Sequence, residues 1–79
     1  MATIRETVYE AIANAMKVDV NTLTDDTNVA AELGATSVDF VHVLSAIEAA
    51  HELTVPFMKL RRNKTIGEMV EFVEELAEE

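Results

Sequence analysis

Apolar positions recur at helical spacing in three long stretches of this chain. In the first, Ile4, Val8, Ala11, Ile12 and Ala15 share one face, and Thr3 followed by Glu6 has the spacing of a capping box. The pattern predicts a helix over 3–16. In the second, Phe40, Val43, Leu44, Ile47 and Ala50 point inward from a helix over 37–51. In the third, Thr65 with Glu68 makes another capping box, and Ile66, Met69, Val70, Val73 and Leu76 form the inner stripe of a helix over 65–77. Glu74, Glu75, Glu78 and Glu79 crowd negative charge at the negative pole of that helix, so its final turn is expected to fray.

The stretches between these helices read differently. Residues 17–36 lack sustained periodicity and are rich in Asp, Asn and Thr, which predicts a long ordered loop anchored by Leu23, Val29 and Leu33. Gly34 ends it. Leu53 to Pro56 forms an extended exit from the second helix, because a residue before proline is pushed away from helical angles. A short helix follows near 57–62. The expected architecture is all-α: a four-helix bundle of three main helices and one minor helix, forming one domain over 1–79.

Composition supports helices over sheets. With Tyr9, Phe40, Phe57 and Phe72 as the only aromatics, aliphatic side chains and alanine must fill the core. The chain has no cysteine, so a disulfide framework and a thiolate metal site are excluded. No signal peptide is recognisable, and no apolar run approaches the ~20 residues that span a bilayer. A soluble, cytoplasmic monomer without membrane insertion is expected. The net charge of −9 repels nucleic acid and leaves it an unfavourable partner. Four of the six basic residues, Lys59, Arg61, Arg62 and Lys64, stand close together, which leaves two basic against fifteen acidic residues elsewhere, a balance of −13.

Candidate chemistry concentrates at Leu33 to Asp39, where a glycine is followed by a serine at the start of an amphipathic helix. Thr36 or Ser37 can simply cap that helix. A helix start also suits an attached phosphate, since free N–H groups and the positive dipole end favour an anion there. His42 has Asp39 and Ser45 as helical neighbours, but no third group or oxyanion arrangement joins them, so a surface histidine is expected and no catalytic residue is assigned. His51, at the end of the same helix, is expected to be partly buried. The acids of the run from Asp19 to Asp26 resemble those of a calcium loop, but the mid-loop glycine and the closing glutamate are missing, so no metal site is assigned.

Gly34, Ala35, Thr36, Ser37, Val38 and Asp39 together resemble the Gly-Ala-Asp-Ser-Leu-Asp signature around the modified serine of acyl carrier proteins. The resemblance extends to Glu32 and Leu33 before it, to Ile47, Glu48 and Ala49, to Val55 and Pro56, and to Thr65 through Glu68. It implies that a phosphopantetheinyl transferase moves 4′-phosphopantetheine from coenzyme A onto Ser37. The thiol of that arm would carry an acyl chain as a thioester to separate loading and transferring enzymes of fatty-acid, related lipid or polyketide metabolism. The inner residues Phe40, Val43, Leu44, Ile47, Ile66 and Met69 would shelter the chain. The carrier itself would catalyse nothing.

Several positions depart from the family pattern. Thr36 and Val38 replace the usual Asp and Leu around the serine. The outward face of the second helix, with Val38, Asp39, Val41, His42, Ser45, Glu48 and Ala49, is less acidic than in relatives, and Lys59, Arg61 and Arg62 stand where relatives are acidic. These departures imply a partner surface that relies more on apolar contact and less on charge, serving dedicated enzymes. The basic cluster either balances charge or binds an acidic partner, an anionic acyl group or a phosphate. A peptidyl or aminoacyl carrier, and an unmodified interaction module with the same fold, are the alternatives.

Overall fold

The structure, a computed structural model, describes residues 2–78. The first helix, α1, runs over Ile4–Met16. Its capping box forms as the spacing predicts: the Thr3 hydroxyl accepts from the Glu6 N–H at 3.1 Å, and the Glu6 carboxylate accepts from the Thr3 N–H at 2.9 Å. Thr7, Val8, Ala11, Ile12 and Ala13 are buried on its inner face.

Residues 17–36 hold two short helical turns within the expected ordered loop. They contain a 3-10 turn at Val20–Thr22 and a one-turn helix, α2, over Val29–Leu33. One turn is too short for hydrophobic periodicity to register, and its ends define it instead. The Asn28 side chain accepts from the Ala31 N–H at 2.9 Å, and the Glu32 carboxylate accepts from the Asn28 N–H at 2.7 Å. Gly34 closes the turn at φ +71, in the left-handed region that glycine enters at least cost. Leu23 and Val29 anchor the segment in the core, and Leu33 is half-buried.

The same segment is tied by backbone bonds to the start of the last helix. Val29 donates to the Lys64 carbonyl at 3.0 Å, Ile66 to that of Thr27 at 3.1 Å, and Gly67 to that of Asp25 at 3.0 Å. A second clasp reaches back to α1: Arg5 Nη1 donates to Asp25 Oδ1 at 2.6 Å, and the Tyr9 hydroxyl donates to the same oxygen. The guanidinium holds the Asp25 carboxyl below the usual carboxylate range, with the Tyr9 bond adding to the effect.

The second long helix, α3, covers Ser37–His51, α4 covers Phe57–Arg62, and α5 covers Ile66–Glu78. Of the stripe expected on α3, Phe40, Val43 and Ile47 are buried and Leu44 is half-buried, but Ala50 is exposed. His51 takes the inner place at that end, with Nε2 2.8 Å from the Thr7 hydroxyl of α1. The inner stripe of α5 is buried as expected, with Leu76 half-buried, and the helix remains regular through Glu78 despite its terminal acids. α1 packs against both α3 and α5, and α4 lies on α3. The bundle is all-α. Among the described residues, no helix is long and apolar enough to cross a membrane.

Candidate functional site

The junction between α2 and α3 decides where Ser37 stands. After Gly34, Thr36 is extended (φ −101, ψ 177) and forms the N-cap of α3. The Asp39 carboxylate turns back on it, accepting from the Thr36 N–H at 2.9 Å and from its hydroxyl at 3.1 Å. Thr36 and Asp39 therefore perform the capping. Ser37, the first residue of the helix, is exposed and its hydroxyl takes no part in the cap.

One side chain reaches that hydroxyl from another element. Arg61 of α4 donates through Nη1 to Ser37 Oγ, and its guanidinium carbon lies 5.7 Å from the centroid of the Phe40 ring. A guanidinium is a permanent donor and takes no proton. The contact therefore cannot turn Ser37 into a nucleophile by removing its proton.

The other predicted residues divide clearly. Val38, Val41, His42, Ser45 and Ala49 are exposed on the outward side of α3, Val38 at 64% and Val41 at 47%. Glu48 does not join them as a free acid: it is half-buried, and its carboxylate accepts from the Val55 N–H at 2.8 Å. Asp39 is half-buried and engaged with the cap. Lys59, Arg61 and Arg62 are exposed on α4. Phe40, Val43, Ile47, Ile66 and Met69 belong to one hydrophobic core, with Leu44 packed against it.

Met58, which no periodic stripe marks, is 64% exposed on the same short helix as Arg61. Phe57 and Leu60, three apart, suffice to seat so short a helix, so the surplus apolar residue was the available signal. An open groove of about 370 Å³ lies elsewhere, lined by Arg5, Glu6, Tyr9, Glu10 and Val20, and includes none of the residues expected to shelter an acyl chain.

The exposed Ser37 hydroxyl at the start of α3 is a point at which a group can be attached. The comparisons with known proteins are specific on this point. The family model described as a phosphopantetheine attachment site matches residues 6–73. An acyl carrier protein of Amoebophilus asiaticus is 31% identical over 74 residues, covering 94% of this chain and 92% of the relative. The chain belongs to the acyl carrier protein family. It is a carrier and not an enzyme, its cofactor is 4′-phosphopantetheine, and membership implies dealings with a phosphopantetheinyl transferase and with acyl-handling enzymes. The α3 start fits such a group: an exposed oxygen at the positive end of a 15-residue helix is a favourable place for an attached anion.

Proposed function

We propose that Ser37 is the residue that bears the 4′-phosphopantetheine arm, and that this carrier serves a small set of dedicated enzymes of fatty-acid, related lipid or polyketide metabolism. The observation that carries the assignment is the division of labour at the α3 start, where Thr36 and Asp39 cap the helix and leave the Ser37 hydroxyl exposed. When bound, the arm supplies a thiol that holds the acyl chain as a thioester.

The chain's own residues do the rest. The α3 start holds the arm's attachment point outside the bundle, and Phe40, Val43, Leu44, Ile47, Ile66 and Met69 form the apolar interior in which a chain can be sheltered. The partner surface includes exposed apolar side chains, Val38 and Val41 on α3 and Met58 on α4, with His42, Ser45 and Ala49 among its neutral members. Glu48 and Asp39 spend their carboxylates internally, which supports recognition by apolar contact more than by negative charge. Lys59, Arg61 and Arg62 border it with positive charge. We read the protein as a cytoplasmic monomer forming one domain.

The test is the intact mass of the protein after incubation with coenzyme A, magnesium and a broad-specificity transferase, with Ser37→Ala alongside. The expected result is a gain of one phosphopantetheine on the wild type and none on the variant. A folded wild type that gains nothing, both here and when isolated from its native cell, would return the protein to the class of unmodified interaction modules.

A further inference from the structure

Attachment at Ser37 replaces a neutral hydroxyl by a phosphodiester with one negative charge at neutral pH. Asp39 already places a carboxylate within the same first turn, held by Thr36. In a chain of net charge −9, a further anion at that point needs a local counter-charge.

Arg61 is placed to supply it. Its Nη1 donates to the very oxygen that would be esterified. Its guanidinium lies against the ring of Phe40, which is only 3% exposed and is therefore fixed by the core. Among the described residues, the ion pair present joins Arg5 to Asp25, and Arg61 has no carboxylate partner. An arginine left unpaired in so acidic a chain, and directed at a neutral hydroxyl, has its charge in reserve. A guanidinium offers several donors in a planar fork that matches phosphate oxygens, and it can keep its aromatic contact while doing so.

Resting on the assignment of Ser37, we propose that Arg61 is a positioning residue that grips the phosphodiester of the attached arm and holds its root against α4. Lys59 and Arg62 share the short helix, but the structure gives neither a bond to Ser37, and Asn63 Nδ2 is bound to the Lys59 carbonyl at 2.9 Å. The grip also separates two roles for the basic cluster: Arg61 faces the arm, and the others balance charge.

Phosphorus and nitrogen NMR of the enzymatically loaded protein tests the proposal, with intact mass confirming full loading. On passing from the unmodified to the loaded wild type, the Arg61 guanidinium resonance should move, as the acceptor of its Nη1–H changes from a hydroxyl to an anion. In Arg61→Gln the phosphodiester should gain mobility, its phosphorus transverse relaxation slowing by about twofold, on the scale of losing an exposed charge-assisted pair. Arg61→Lys should show only part of that gain in mobility, and Arg62→Gln none of it. An unmoved Arg61 resonance in fully loaded wild type overturns the proposal while leaving Ser37 as the attachment residue. A wild type that takes no arm, or takes it in Ser37→Ala, overturns both. The wild-type comparison decides the matter even where Arg61→Gln is loaded poorly or folds badly.

Discussion

Thr36 and Ser37 are adjacent, similar in chemistry and opposite in use. Thr36 is extended and tied to Asp39 by two bonds, whereas Ser37 is already helical and gives its hydroxyl no part in the cap. Asp39→Ala, which strips both bonds from Thr36, should therefore lower stability by about 1 kcal/mol, the usual worth of a helix cap. Ser37→Ala should stay within about 0.5 kcal/mol of wild type, as for a surface substitution. Urea unfolding of the two variants checks the contrast, and a larger loss for Ser37→Ala would place the cap on the wrong residue. Position in the chain makes Ser37 and Thr36 visible as candidates. It does not say which of them is spent on the cap, because that depends on φ and ψ at a single residue. Arg61 was readable only as part of a basic cluster. Its contact with a residue 24 positions away depends on how α4 is laid on α3. Glu48 illustrates the same limit, since helical spacing turns it outward while a loop amide captures its carboxylate.

At the scale of elements, the four helices with a periodic stripe or a proline exit were legible, and two capping boxes marked their starts. What escaped were the 3-10 turn at Val20–Thr22 and α2, a turn defined by its ends and by backbone bonds from its segment to the start of α5. Gly67 shows how close that docking is. A Cβ there would stand 2.9 Å from Asp25 Cβ and 3.2 Å from the Asp25 carbonyl oxygen. Backbone cannot swing aside as a flexible side chain can. Gly67→Ala should therefore destabilise by about 1–3 kcal/mol, although alanine is the better helix former by about 1 kcal/mol. Thermal or urea unfolding checks this, and a stabilised variant would show that the 17–36 segment is loosely seated on α5.

Across the whole molecule, three carboxyls at separate junctions share one pH response. Backbone N–H groups at the helix starts hold Glu6 and Glu68 below the usual carboxylate pKa range, and the bond from Arg5 does the same for Asp25. Each has a lower pKa folded than unfolded. Their contribution is therefore fully present above the unfolded range near ~4 and is lost as pH falls through the lower folded values. Protonation also relieves self-repulsion in a chain of net charge −9, which acts in the opposite sense. The expected profile of the urea midpoint is shallow or rising from pH 7 to about 5, then falling steeply below about 4. A midpoint that keeps rising to pH 3 would mean that repulsion outweighs the caps and the clasp.

The clasp that closes over Asp25 has an optical consequence. Tyr9 is the protein's single tyrosine, and tryptophan is absent, so its near-ultraviolet emission comes essentially from one phenol. That phenol donates to a carboxylate, an acceptor that quenches the excited ring. Its brightness is thus a gauge of one event, the separation of the 17–36 segment from α1. The protein carries its own reporter for local opening, with no label added.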